Sequence, residues 1–360
     1  MKTKNMYVDI HVLQTVPSAN INRDDTGAAK KAIYGGVTRA RVSSQSWKRA
    51  TRKLFAKEDL DWLKSYRTKE APSLLSKTIL EMSELDQEAA TKMAEEVFKA
   101  AGVKVKGGET SALMLVSVGQ IEKLAKFALS HDSFDKDEKK AIKEIFNSDQ
   151  SLDLALFGRM VADNPELNVD AASQVAHAIS THEITPEFDY FTALDDLQAE
   201  DKAGAAMIDN FEYNSATLYR YANVNVKELE HNLGRDLALK GVELFIKDFV
   251  QSMPDGKQNS FANKTLPQYL MITIRQDTPV NLASAFEEPV VSREGYLHKS
   301  VEKLEKEYDL SEKFVEKPLK NFVLSRYESE VGEEVQNLSE LIGQVGKTLS
   351  GVISDEDNNN

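Results

Sequence analysis

Six patterned stretches, taken in order, leave this chain few folds to adopt. Residues 6–13 (MYVDIHVL) alternate, with Met6, Val8, Ile10 and Val12 on one face, which predicts a half-buried strand. Ser43 and Ser44 then cap a helix that reaches about Phe55. Residues 171–181 (AASQVAHAIST) read as a strand, and Phe211–Asn225 alternates again, with Tyr213, Tyr219 and Tyr221 on one face. A helix near Asp236–Met253 and a strand at Tyr269–Arg275 complete the series. Strand, helix, strand, strand, helix, strand is the ferredoxin-like order, so an α+β fold is expected. A large helical insertion should follow the first helix, because residues 57–147 are mostly helical in pattern, as in Leu85–Ala101 and Ile121–Leu129. A short strand near Ala112–Val118 interrupts that run.

Two stretches resist the pattern. Thr185–Asn210 reads as an irregular excursion between two strands, and a long loop inside a compact domain is usually functional or disordered. The end of the chain is helical and acidic, and its last residues, SDEDNNN, read as a disordered tail.

A chain of 360 residues that is 41% hydrophobic can bury a core and hold two domains, or one with insertions. Its longest nearly apolar stretch, Ala112–Val118, is too short to cross a bilayer. Lys2 and Lys4 are followed by Asp9 and His11, which break what would be a signal peptide's apolar region. Without cysteine there is no disulfide framework and no thiolate metal site. A cytoplasmic protein with no membrane partner is expected.

A net charge of −13 argues, as an average, against nucleic acid as a partner. Its distribution argues otherwise. Between Asn20 and Lys53 nine basic residues face only Asp24 and Asp25, so that segment carries about +7 and the remainder about −20. In the predicted helix Gln45, Lys48, Arg49 and Arg52 fall at i, i+3, i+4 and i+7, opposite Trp47, Ala50 and Leu54. Such a stripe offers a row of phosphate contacts, and the amides at the helix start beside Ser43 and Ser44 would accept another phosphate. Taken alone, the helix favours the plainer reading of a solvated face. The preceding loop shifts the balance, with Asn22, Arg23, Lys30, Gly35, Gly36, Arg39 and Arg41 close before the helix. Gly35-Gly36 would allow close approach of backbone to a ligand. Asp24 and Asp25 read as partners that orient Arg23 and nearby amides.

These residues carry a resemblance. HVLQTVPSANINRDDTGAAKKAIYGGVTRARVSSQSWKRATR (11–52) resembles the N-terminal signature of the CasC, or Cse-type, backbone subunits of type I-E CRISPR Cascade, in the RAMP superfamily. Residues 176–198, 213–229 and 260–290 are similar to the same family, so the resemblance runs from residue 6 to about 290. It implies a hand-shaped subunit with an RRM-related palm, a helical finger region and a protruding thumb loop. The boundaries then expected are palm 1–56, finger 57–170, palm strand 171–184, thumb 185–211, palm 212–350 and tail 351–360.

By resemblance, Lys30, Ser43, Gln45, Lys48, Arg49 and Arg52 would line an RNA groove, and Tyr190 and Phe191 would be the thumb's aromatic contacts. Arg159 and Met160 match the family's Gly-Arg-Met segment near a finger contact. After Met160 the sequence VADNPELN departs from the family pattern. The implied partners are guide RNA (crRNA), target DNA paired through the guide, other copies of the chain and other Cascade subunits.

Little in the sequence points to an enzyme. The six histidines form no His-Glu-x-x-His pair, and no Walker or G-x-G-x-x-G loop is present. No metal or cofactor is expected. Related backbone subunits of other CRISPR types cut RNA with a loop aspartate, and Asp189, Asp195 and Asp196 flank the thumb aromatics. That makes an RNA-cleaving subunit the alternative. A metabolic enzyme binding phosphorylated substrates through the basic loop is a third reading, and it leaves the aromatic excursion unexplained.

Overall fold

The first strand is buried on both faces rather than one. In the computed structural model, which describes residues 5–58, 60–131, 133–193 and 207–358, it runs Tyr7–Ala19. Val8, Ile10 and Val12 are buried as expected, but so are Asp9, His11 and Leu13. The reason lies in its neighbours. The sheet runs, from one edge, Glu333–Glu334, Lys320–Ser325, Tyr269–Arg275, Tyr7–Ala19, Met207–Asn225, Ala178–Ser180, Val37–Val42 and Lys31–Tyr34. Its four middle strands stand in ferredoxin-like order, the fourth beside the first, then the third, then the second. Ile10 pairs with Ile272, Leu218 with Ser180 and Arg41 with Ile179, all antiparallel.

The chain forms two compact units. The first comprises Met1–Thr51, Val175–Asn223 and Ile246–Asn360 and holds the sheet. Trp47 from the first helix (Ser44–Phe55) packs with Val16, Ala40, Val42, Ala178 and Leu218 on one side. On the other side Leu13, Tyr219, Tyr269 and Met271 meet Phe286 and the helix Leu297–Ser311, whose Val301, Leu304 and Tyr308 make an inward stripe.

Asp9 and His11 therefore lie in an interior polar network. Tyr221 Oη donates to Asp9 Oδ1 at 2.7 Å, the Val280 amide donates to Asp9 Oδ2 at 3.1 Å, and Tyr219 Oη lies 2.9 Å from His11 Nδ1. Arg275 Nε stands 3.4 Å from Asp9 Oδ2 without an aligned hydrogen bond. Burial pushes the Asp9 carboxyl up to about 7, against its donors, and pushes His11 down to about 3.

The second unit, Arg52–Gln174 with Val224–Phe245, is helical. The helices Ala71–Met82, Gln87–Ala100, Val118–Leu129 and Lys136–Phe146 enclose Leu75, Val97, Phe98, Leu124 and Phe146. Ser117 with Gln120 and Asp135 with Glu138 form capping boxes that start the last two helices. The expected short strand is Met114–Ser117, paired with Ser65–Thr68. Val224–Phe245, expected in the palm, belongs to this unit.

Two expectations are corrected. The excursion is not irregular, because Glu187–Ala193 pairs antiparallel with Met207–Tyr213 to make the two strands of an arm, Asp189 opposite Phe211. Its connection, with Asp195, Asp196 and Gly204, lies outside the described residues. The tail expected from residue 351 is instead the continuation of a helix, Leu338–Asn358. Buried Leu341, Val345, Leu349 and Ile353 form an i, i+4 stripe that carries the helix past the expected boundary. Among the described residues no helix is long and apolar enough to cross a membrane.

Candidate nucleic-acid interface

The first helix is positioned from its buried face. Trp47 is stacked under the Arg220 guanidinium, 3.8 Å from its ring centre, and Arg220 donates to Gln14 Oε1 at 2.6 Å and to the Phe249 carbonyl. Burial lowers Arg220 to about 9. At the helix start the Ser43 hydroxyl accepts from the Ser46 amide at 3.3 Å, and Asn22 Oδ1 accepts from the Ser43 amide at 2.8 Å. Asn22 thus ties the basic loop to the helix, and Ser43 is its cap. Ser44 is half-buried beside it.

On the outward face Gln45 and Arg49 are exposed and Lys48 is half-buried. Arg49 makes a long, exposed contact of 3.9 Å with Asp255. Burial lowers the Lys48 ammonium, a penalty that an approaching phosphate would offset. Arg52 does not belong to this row. Its Nε is 2.5 Å from the buried Asp153 carboxylate, which also accepts from Ser65 Oγ at 2.6 Å. The heptad position was right, but a buried carboxylate claims the guanidinium.

The hairpin Lys31–Tyr34 and Val37–Val42 separates two arginines that the sequence treats alike. Arg39 is fully buried and donates to the carbonyls of Tyr34 at 3.1 Å, Ser180 at 2.9 Å and Phe286 at 2.8 Å. It is a bolt between three backbone segments, not a phosphate contact. Gly35, at φ +60°, is pressed against the Glu287 carbonyl, where a Cβ would stand 1.7 Å from the oxygen. The close approach expected of this glycine is made to the protein's own backbone.

Arg41, two residues on from Arg39, is only half-buried, donating to the Lys31 carbonyl at 3.3 Å and His177 Nδ1 at 3.2 Å. Lys30 is half-buried and Arg23 exposed. Asn22, Lys30 and Arg41 line one hollow together with Ile21, Val42 and Leu218. Asp24 accepts from the Thr26 hydroxyl at 2.7 Å and from the Thr26 and Ala28 amides, and the Thr26 hydroxyl is the main reason its carboxyl is lowered.

On the arm, Phe188 and Tyr190 are 66% and 65% exposed. Spaced by two on a strand, they share a face. Phe191 is backbone-paired with Asp209 and, by the same period, belongs to the opposite face. Phe211 and Tyr213 occupy that opposite face, and both rings pack against Phe261. The sequence reading therefore missed Phe188. Period two from Tyr190 would have found it, had the excursion been read as a strand.

In the second unit Met160 is 82% exposed while Arg159 is buried, donating to the carbonyls of Leu167 at 2.8 Å and Phe146 at 2.7 Å. Burial lowers Arg159 to about 10. Arg159 holds the backbone from which Met160 projects, and it offers no contact itself. Also missed were His177 and Arg220, since neither stands in a pattern that separates it from core residues. Among the described residues no three His, Asp or Glu side chains gather as a metal site.

The chain was compared with known proteins. A family model described as CT1975-like protein (Cas_CT1975) matches residues 8–346. No curated protein matched. Among solved structures, a chain of a "CRISPR RNA-guided surveillance complex, pre-nicking" is 31% identical, with a TM-score of 0.83, over 95% of this chain and 99% of that one. A chain of a "CRISPR RNA-guided surveillance complex" is 28% identical, with a TM-score of 0.75 and the same coverage. A fold shared end to end, together with a family model that spans nearly the whole sequence, makes this chain a CRISPR Cascade-type subunit belonging to the CT1975-like family.

Proposed function

We propose that the protein is a guide-RNA-coating backbone subunit of a type I-E Cascade complex, and that it acts without catalysis. The observation that carries this reading is the rim of cations Lys30, Arg41, Lys48 and Arg49, with the neutral Gln45 beside them, on a chain whose net charge is −13. Phosphates supply affinity without regard to sequence, which suits a subunit that must hold any spacer. Asn22, Arg23, Ser43 and Ser44 border the same rim and add hydrogen-bonding groups. On the arm, the exposed Phe188–Tyr190 face offers bases a stacking surface, and stacking is equally tolerant of sequence. Met160 would supply an apolar finger contact. Copies laid along one RNA, with other Cascade subunits at its ends, would present the guide for pairing with target DNA. The acidic remainder keeps nucleic acid to the rim.

Purification of the assembled complex tests this. It should carry a short RNA of uniform length with one repeat-derived end, and complementary RNA and DNA should stay uncut in Mg²⁺ or Mn²⁺. Heterogeneous RNA, or none, overturns the backbone assignment. Cleavage abolished by substituting Asp189 would move the protein to the RNA-cutting class.

A further inference from the structure

We infer that His177 is a third phosphate ligand beside Lys30 and Arg41, and that it takes up a proton when RNA binds. The inference rests on the proposed RNA-binding role and adds to it a residue and a pH dependence.

The geometry is set by the sheet. Arg41 pairs with Ile179 and Val42 with Ala178, so His177 is the diagonal neighbour of Arg41 on one face of the sheet. The Lys30 carbonyl accepts from the Arg41 amide at 2.9 Å, which puts Lys30 directly across on the other flank. One guanidinium, one ammonium and one imidazole thus meet along a short line, and His177 is exposed. The stretch Ser173–Ser180 that carries the imidazole contains no carboxylate. From the strand Met207–Asn225, the residue aligned with it is Tyr221, whose hydroxyl is turned to Asp9. The charges that reach His177 are Arg41 from one strand and Lys30 from the loop before the hairpin.

Arg41 Nη1 can only donate, so His177 Nδ1, 3.2 Å away, is its acceptor and the ring proton sits on Nε2. Protonating Nδ1 in the free protein would set an N–H against the guanidinium. Desolvation, then Arg41, then Lys30 accordingly hold His177 below the ordinary imidazole value. A phosphate oxygen inserted between the two nitrogens reverses this. It accepts from Arg41 Nη1 on one side and from a protonated Nδ1 on the other, replacing one hydrogen bond from a cation to a neutral acceptor by two between opposite charges. Proton uptake then accompanies binding, and affinity should rise as pH falls through the imidazole value of the complex. The gain should level off below that of the free protein.

The test uses the full chain and a fluorescent oligouridylate, whose bases do not titrate here, at constant ionic strength from about pH 8 to about pH 5. Wild-type affinity should rise about tenfold for each unit by which phosphate raises His177. His177→Gln should lose that rise, with its salt slope unchanged from wild type at the alkaline end and lower by roughly 0.7 at the acidic end. His177→Lys, permanently charged, should bind more tightly than wild type at the alkaline end. Parallel pH curves for wild type and His177→Gln would overturn the inference and leave the RNA-binding role standing. No binding of the oligomer at any pH would overturn that role first. Should His177→Gln fail to fold, the imidazole resonance of wild-type His177, titrated with and without oligouridylate, decides between a raised value and an unchanged one, and the unchanged one refutes the inference.

Discussion

In the unit built from Arg52–Gln174 and Val224–Phe245, Arg52 and Arg159 are engaged with a buried carboxylate and with backbone carbonyls. Along the rim of the other unit, Arg41 and Arg49 stay at the surface with weak or neutral partners. Arg39 shows that the division is not between units. It shares a strand face with Arg41, yet the segment around Phe286 covers it and none of its charge reaches solvent. Cover by a distant piece of backbone therefore decides whether an arginine is a bolt or a ligand.

The largest effect should come from breaking a bolt. Arg52→Ala leaves Asp153 buried without its cation and should cost about 3 kcal/mol or more, read as a lower urea midpoint at unchanged slope. Arg52 and Asp153 changed together should recover part of that loss. If Arg52→Ala folds normally and only weakens RNA binding, the row of four phosphate contacts was right after all.

Next in size is the arm. Phe188→Ala or Tyr190→Ala should each weaken RNA binding by roughly 1–3 kcal/mol per stacked base, with stability unchanged. Phe191→Ala should do less, since it belongs to the face that Phe211 and Tyr213 share. Equal losses from all three would erase the distinction between the faces.

Interior polar groups extend the comparison to pH. Asp9 is raised to about 7 when folded, so it favours folding less as pH climbs from about 4 toward 7. His11 is lowered to about 3, so between about 3 and 6.5 the unfolded chain holds the extra proton and stability rises with pH. The two trends oppose each other. Asp9→Asn should make stability rise more steeply with pH than in wild type across about pH 4 to 6, and His11→Gln should make it fall. Urea midpoints at both ends of that window check the signs. Matching slopes in all three proteins would mean that folding leaves the proton affinities of both groups unchanged.

The smallest effect tests the rim itself. Lys48→Ala and Arg41→Ala should each lower the slope of log K against log salt by roughly 0.7, uniformly across RNA sequences. An unchanged slope would return the helix to a solvated face.

Much of this was legible in the chain. The strand Tyr269–Arg275 stands where the sequence reading put it, and it is buried on both sides, as its mostly apolar composition allows. The first helix follows from Ser43 and from Trp47 opposite Lys48 and Arg49. The arm was not legible as strands. Glu187–Ala193 carries no clean alternation, and only pairing with Met207–Tyr213 makes it regular. The polar residues Asp9 and His11 looked like a solvent face, because alternation cannot show that Leu282, Phe286 and the helix Leu297–Ser311 return over that side of the sheet.

By itself the sequence determined the order of strands and helices, the concentration of positive charge between Asn20 and Lys53, and the family signature, all properties of neighbours along the chain. Tertiary structure decided which charges remain available. Arg39, Arg52 and Arg159 each meet an acceptor brought from elsewhere in the chain, the Phe286 carbonyl, the Asp153 carboxylate and the Phe146 carbonyl respectively. A buried cation must find such a partner, and a partner distant in sequence leaves no local trace.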